Sequence, residues 1–530
     1  MQTVNVQQSI FLNATDAIEV STILKTIKTK STGWDDIHID VLKQSTDTLM
    51  DTLVYLINSS LSQGIFPNEL KIARVLPLFK SGNSKLVSNY RPVSILPVLS
   101  KIFEKVIHNR LISFINEHNV LYSHQYGFRS KHNTTMALIT LVDNIVNGFD
   151  NNKFTVGTFL DYSKAFDTVD HEILLLKLNR YGIRGTANKL IRHYLSKRLQ
   201  YTMFNNVCSE KKLIKCGVPQ GSILGPLLFI LYINDLHYST KDSTLILFAD
   251  DSSVFIQGDN MRDISNKMNR ELASIYKWTN SNKLSLNVNK TYCMVFKKRR
   301  QYLNTNPNIT ISNKMIDIVN STKFLGVLID SSLTWDDHIL YIRKKIAKGI
   351  GIICKARKVL MSSSLLTLYY SFIYPYLHYA IELWGGAPKT NILPLIILQN
   401  KILRIIAGVP NRTNASPLFL RYKVLDVFKV HVYKIAMFMF NFSKGECPES
   451  FNNMFTVNSN VHNYSTRQNK SYHVPLFRYT LCQNVIRYKG VIIYNHIVKV
   501  VNVKHSILTL KNHTKKYLIT HDIDLFNSYN

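Results

Sequence analysis

The chain has 530 residues, too many for one hydrophobic core, and its 46% hydrophobic against 19% charged residues excludes a disordered polymer. Lys and Arg number 65 against 34 Asp and Glu, a net charge of +31, which points to a polyanionic partner: nucleic acid first, an anionic membrane second, with codon bias toward Lys as the competing source of the charge. The six cysteines form no Cys-x-x-Cys pair and have no His at zinc-finger spacing, so neither a zinc site nor a disulfide framework is expected; the N-terminus lacks the basic-then-apolar order of a signal peptide.

Taken in chain order, helical spacing predicts two amphipathic helices in 16–60. One runs through Ile18, Val20, Ile23, Leu24 and Ile27, the other through Val41, Leu42, Leu49, Leu53, Leu56 and Ile57, with a break at Ser31-Thr32-Gly33. A short strand (Ala73–Pro77), a polar turn (80–85) and helices at about 100–116 and 134–147 follow. The β-rich run Phe154–Leu160 ends at Asp161; helical spacing returns at 173–178 and 189–195, with Asp170 placed to cap the first of these. Two more β-rich runs, Leu245–Phe248 and Ser253–Ile256, flank a hairpin tip at Ala249-Asp250-Asp251-Ser252. Then come a helix at about 262–280, a short strand at Phe324–Ile329, and long helices at about 335–360, 364–384 and 393–408. Leu365–Trp384 has almost the length of a membrane span, but Pro375, His378, Glu382 and its central tyrosines mark a buried helix pair broken at Pro375, and no membrane partner is expected. Residues 411–530 are basic, Asn-rich and aromatic. The order predicts α+β over 60–330, then mostly helix.

The chemistry concentrates in three acids. Asp161 at a strand end and Asp250-Asp251 at a hairpin tip would place carboxylates around one cavity if their strands were neighbours. Such acids repel one another unless cations neutralise them, and oxygen ligands of this kind suit Mg²⁺ shared with substrate phosphates. An isolated Asp-Asp more often marks a plain turn; the flanking sequence decides between the two.

Phe248-Ala-Asp250-Asp251 resembles the F/Y-x-D-D box of reverse transcriptases. Phe159-Leu-Asp161-Tyr-Ser-Lys-Ala-Phe166-Asp167-Thr-Val-Asp170-His resembles that family's first catalytic motif, and Gly217-Val-Pro-Gln220-Gly-Ser-Ile-Leu-Gly225-Pro its substrate-pocket motif, in the family's order. The segment from Tyr90-Arg-Pro, Gln125-Tyr-Gly-Phe-Arg129, Asn287-Val-Asn-Lys290-Thr and Phe324-Leu-Gly-Val extend the resemblance over about residues 15–410 to the non-LTR, LINE-type retrotransposon enzymes, Jockey-like branch.

The resemblance implies an RNA-directed DNA polymerase that extends a DNA primer, in the family nicked chromosomal DNA, on an RNA template with dNTPs. Two Mg²⁺ ions, replaceable by Mn²⁺, would be held by Asp161, Asp250 and Asp251. It further implies that the backbone around Tyr162 cradles the triphosphate, Phe166 is the steric gate against ribose, Gln220 touches the incoming nucleotide or primer end, and Lys290 protonates the leaving pyrophosphate. Arg129 and Arg91 are candidates for pairing with phosphates; Asp167 and Asp170 read as structural. The expected fold is α+β, a right-hand polymerase: a helical N-terminal extension (1–60), fingers and an antiparallel-sheet palm (61–332), a helical thumb (333–390) and a basic, mostly helical C-terminal region (391–530). The expected location is intracellular, nucleus and cytoplasm. Rival readings are a catalytically inactive or co-opted nucleic-acid-binding copy and a maturase-like RNA-splicing factor on the same fold. Three features depart from the family. Residues 1–60 are too short for its endonuclease, 411–530 show neither a Cys/His knuckle nor an RNase H acidic quartet, and in Gly33-Trp-Asp35-Asp36 the last residue replaces a usual Gly.

Overall fold

In the computed structural model, which describes residues 4–303, 305–461, 468–501 and 507–521, the centre is a five-stranded sheet. Its spatial order is Asp317–Ile318, Tyr292–Phe296, Phe154–Leu160, Asp251–Gly258, Thr244–Phe248, antiparallel except for the first pair. Side chains alternate across it: Val156, Val254, Ile256, Cys293 and Val295 enter one core, Phe159, Ile246, Phe255, Met294 and Phe296 the other. Both faces are covered, which is why these strands read as nearly continuous apolar runs.

The first core gathers the N-terminal helices and the helices Val98–Glu117, His171–Arg180, Gly185–Leu195, Leu224–Tyr232 and Met261–Ser281. The second starts at the helix Thr134–Asp150 and runs through the helical second half to Leu518, without a break at 332 or 390. There the helices Ile486–Val500 and Ile507–Thr520 both pack on Val427–Ser443; residues 462–467, 502–506 and 522–530 of the expected C-terminal region lie outside the described residues. Among the described residues the helix Lys389–Ala407 is long and apolar enough to cross a membrane; Ile392, Leu395, Ile402 and Leu403 on it are buried, and it packs against Asp336–Ala356.

A second sheet is built on the hairpin Ala73–Phe79/Tyr90–Ile95, to which Gln200–Thr202 adds in parallel beside Ala73–Val75. Its base is tied to the N-terminal segment. Asp36 sits at φ +52, a conformation that glycine adopts without a side-chain clash, and its carboxylate is held by Arg74 Nη1 (3.3 Å) and Thr32 Oγ1 (3.2 Å). The departure noted at Asp36 is therefore a strained turn with polar compensation.

Three expectations need correction. The second N-terminal helix is two, Ile39–Gln44 and Thr46–Gln63, separated at Ser45 (φ −92, ψ 14). That step breaks the apolar stripe, so Leu42, Leu53 and Ile57 are buried while Val41 and Leu56 are exposed. Phe324–Ile329 is not one strand but the middle of a hairpin, Ser321–Phe324/Val327–Asp330, turning at Leu325 (φ +44) and Gly326 (φ +84). The stretch expected as a helix pair in 364–384 has three pieces: Ser362–Phe372, Tyr374–His378 with Pro375 in its first turn, and Ile381–Trp384 after Ala380 at φ +51.

Candidate active site

Leu160 pairs with Ser252, so Asp161, the next residue, lies level with the tip of the hairpin Thr244–Phe248/Asp251–Gly258. Phe248 pairs with Asp251, which narrows the tip from the four expected residues to two, Ala249 and Asp250, and makes Asp251 the first residue of the outgoing strand. The three acids are thus brought to one end of two adjacent strands. Asp250 and Asp251 are open to solvent, yet the cleft walls strip water from around them. That desolvation, with repulsion from Asp161, raises both carboxyls, and Asp251, facing Asp250 as well, is pushed up to about 6. Among the described residues their acceptors are not consumed by the fold: only the backbone of Asp250 itself acts on its carboxylate, and no hydrogen bond acts on that of Asp251.

Two cations oppose this field. Lys80 draws both carboxyls down and Arg91 draws Asp250 down; both are exposed and flank the same hairpin, where Leu78 pairs with Arg91. Lys80 was not singled out by its sequence. Exposed hydrogen-bond acceptors of like charge, facing free cations, form a donor set suited to a divalent cation and to phosphate. Among the described residues, no three His, Cys, Asp or Glu side chains converge into a closed metal cage; an ion held here would complete its coordination from substrate oxygens.

Asp161 is fixed through its backbone: its carbonyl accepts from Asn287 N (2.8 Å) and its amide donates to Thr291 Oγ1 (3.4 Å). Ser163 N bonds Ser285 O at 2.9 Å, so Tyr162 bridges Leu286 with its own peptide groups directed away from that segment. The Tyr162 ring is buried beside Ser252, and burial pushes its phenol up to about 12. Lys290, on the turn Val288–Lys290 just past Asn287, is exposed.

Phe166 is half-buried. Its ring stacks on buried Phe229 (4.2 Å between centroids, 20° between planes) and meets exposed Phe128 edge-on at 6.2 Å. Gln220 donates from Nε2 to Asp167 Oδ1 (2.8 Å), and its carbonyl accepts from Ser94 N (2.8 Å). This clamps the 217–221 loop between the Asp161 strand's exit and the Tyr90–Ile95 strand. Behind the loop, buried Glu104 accepts from the amides of Ile223 (2.7 Å) and Leu224 (3.1 Å) at the start of the next helix; burial raises its carboxyl. Asp170 caps its helix as expected, accepting from Ile173 N at 3.0 Å.

Arg129 is not brought to the acids. Its Nη1 donates to the carbonyls of Tyr122 (3.0 Å) and Gln125 (3.4 Å), and the carboxylate whose charge acts on it is Glu449. It latches its own loop. Gln125, in the same motif, has the more direct connection to the site. Its Oε1 accepts from Gly127 N (2.8 Å) and from Ala249 N (3.1 Å), at the hairpin tip.

Residues 80–329, which include every one of these groups, match the family model described as reverse transcriptase (RNA-dependent DNA polymerase). The chain is 28% identical over 417 residues to the RNA-directed DNA polymerase from mobile element jockey of Drosophila melanogaster, covering 76% of this chain and 45% of the relative. It is 29% identical over 415 residues to the probable RNA-directed DNA polymerase from transposon X-element of the same species, covering 77% and 45%. The chain thus carries a reverse transcriptase domain and is similar to RNA-directed DNA polymerases of non-LTR mobile elements. The match to the probable enzyme from transposon BS, 29% identical with 76% and 46% covered, agrees. The chain spans less than half the length of these relatives. Within the reverse transcriptase domain, the acids fall on two neighbouring strands and the family's divalent-metal dependence has a matching set of oxygen donors.

Proposed function

We propose that this chain is an RNA-directed DNA polymerase, transferring nucleotides from dNTPs to a DNA primer 3′-OH on an RNA template. The observation that carries the reading is the grouping of Asp161, Asp250 and Asp251, mutually repelling and unused by the fold, opposite Lys80 and Arg91. In this reading the five-stranded sheet is the palm, the Ala73–Phe79/Tyr90–Ile95 hairpin belongs to the fingers, Asp336–Ala356 and the helices after it to about 390 form the thumb, and 391–530 is a basic C-terminal region.

Asp161, Asp250 and Asp251 would hold two Mg²⁺ ions, or Mn²⁺ in their place. Ions bound there supply charge at the attacking 3′ oxygen and the leaving pyrophosphate. Lys80 and Arg91 steer the triphosphate into the cleft, the outward peptide groups at Tyr162 receive it, and Lys290 is the proton donor to the pyrophosphate. Gln220, held by Asp167, lines the nucleotide pocket, and Phe166, backed by Phe229, presents its edge to the sugar. Arg129 has a positioning role in place of phosphate pairing. The element's own RNA and nicked chromosomal DNA are the proposed template and primer, so the proposed place of action is intracellular, nucleus and cytoplasm.

The deciding experiment is primer extension on poly(rA)/oligo(dT) with dTTP and Mg²⁺. Extension that chelator abolishes supports the polymerase. Tight primer–template binding without extension, in either Mg²⁺ or Mn²⁺, would identify a binding protein instead.

A further inference from the structure

The tip that carries Asp250 has an internal weakness. Ala249 stands at φ +54, a left-handed conformation that costs a non-glycine residue about 1–2 kcal/mol. Two-residue turns of this type usually contain Gly or Asn. The compensation comes from another part of the chain. His124 to Gly127 runs alongside Leu247: Tyr126 N donates to Leu247 O (2.8 Å) and Leu247 N to His124 O (3.0 Å). From this added strand, buried Gln125 takes the amide of Ala249 on its Oε1. The approach is close enough that a Cβ on Gly127 would stand 2.4 Å from Ala249 N.

The 124–131 loop is in turn gripped by the C-terminal region. The hydroxyl of fully buried Tyr126 bonds Ser450 Oγ (2.9 Å) and Thr140 Oγ1 (2.7 Å). The Tyr126 ring meets Phe451 edge-on at 6.5 Å, and Phe451 is itself packed on Phe438 of the long helix Val427–Ser443. At the loop's far end, Lys131 pairs with Glu446 (3.0 Å) and donates to Gly445 O (3.4 Å). From these contacts we infer that residues 445–451 are a positioning part of the polymerase site: they hold the 124–131 loop, and through Gln125 that loop fixes the strained tip under Asp250. Gln125 and Tyr126 are positioning residues, touching neither substrate nor ion. The C-terminal region thus has a role distinct from supplying positive charge. The inference rests on the polymerase reading for its kinetic readout alone.

The test uses the full chain and three variants, Gln125→Leu, Gln125→Glu and Tyr126→Phe. Steady-state extension with dTTP on poly(rA)/oligo(dT), affinity for the same primer–template, and hydrogen exchange of peptides spanning 244–252 are measured for each. Gln125→Leu removes the acceptor and should lower kcat by about a hundredfold, the scale set by small misplacements of reacting groups, with KM and primer–template affinity held within about threefold. Exchange at Ala249 should accelerate. Gln125→Glu keeps an acceptor for both amides and should restore most of kcat. Tyr126→Phe severs the hydroxyl link to Ser450 and should give a smaller fall in kcat, about threefold to tenfold, with the same exchange signature. Wild-type kcat and unchanged exchange in Gln125→Leu would overturn the inference, as would a loss confined to primer–template affinity. If wild-type protein does not extend primers, the polymerase reading fails separately, and exchange still decides the brace: acceleration at Ala249 in both Gln125→Leu and Tyr126→Phe supports it, and no change overturns it.

Discussion

The hairpin turns at Leu325-Gly326 and Ala249-Asp250 both start on a non-glycine residue with a left-handed backbone, and they differ in how that strain is met and in how their acids are used. At Leu325-Gly326 a glycine takes the larger positive φ, and Tyr379 Oη, 54 residues further along the chain, donates to Leu325 O (2.5 Å). The acid that ends this hairpin, Asp330, accepts from the amides of Ser332 (3.1 Å), Thr334 (2.9 Å) and Trp335 (2.8 Å), starting the next helix. At Ala249-Asp250 there is no glycine, and among the described residues neither Asp250 nor Asp251 has another residue's donor on its carboxylate. The turn proposed to carry chemistry leaves these acceptors open and is braced through Gln125. A turn that carries none uses the same kind of acid as a structural cap.

The contrast is broken most severely by removing the two acids in turn. Asp250→Asn should abolish primer extension while leaving the melting temperature unchanged or raised, because it removes repulsion and keeps an acceptor for the residue's own amide. Asp330→Ala should do the reverse, costing about 1–3 kcal/mol through orphaned amides while activity per folded molecule persists. Melting curves beside extension assays read both; a destabilised Asp250→Asn would place that carboxylate among the structural acids. Next in size is Phe166→Ala. If its ring guards the sugar, the kcat/KM ratio of UTP to dTTP should rise by up to about a hundredfold. An unchanged ratio with a large loss of melting temperature would assign Phe166 to the core beside Phe229.

Smaller effects sharpen the comparison of the turns. Gly326→Ala imposes a side chain at φ +84 and should cost about 1–2 kcal/mol. Ala249→Gly relieves the opposite strain against a more flexible unfolded chain, for a net change under about 1 kcal/mol. Chemical denaturation of both measures the difference, and equal costs would mean the two turns are held alike. The smallest effect is at Asp36→Gly. It relieves φ +52 but gives up an exposed contact with Arg74, so stability should move by less than about 1 kcal/mol.

The palm-like sheet was legible because both of its faces are buried: Phe154–Leu160 was assigned with its observed ends, and the hairpin was recognised from the two apolar runs around its acids. The 325–326 turn was hidden because Leu325 fits a strand pattern and a lone glycine beside it reads as a bulge or close approach. Ser45 was hidden because one polar residue between two apolar stripes looks like a helix face. The carbonyl partner of Arg129 was not legible because a guanidinium suits phosphate and carbonyl oxygen equally well, and only the folded position of Tyr122 shows the second. Gln125 gave no signal of its own: its partner at Ala249 is 124 residues away, and nothing in the spacing states that the loop lies beside Leu247. A clue was present in the absence of glycine from the tip, a turn whose strain had to be met elsewhere.

The contact between Tyr126 and Ser450 spans 324 residues. At the usual pace of translation that separation is roughly 15 to 65 seconds of synthesis. A nascent chain therefore exposes its three acids, and can form the sheet that bears them, well before the segment that closes on the Tyr126 loop has left the ribosome. The order of manufacture makes the fastening of this hairpin a late step in the life of the young molecule, long after its three acids have been laid down.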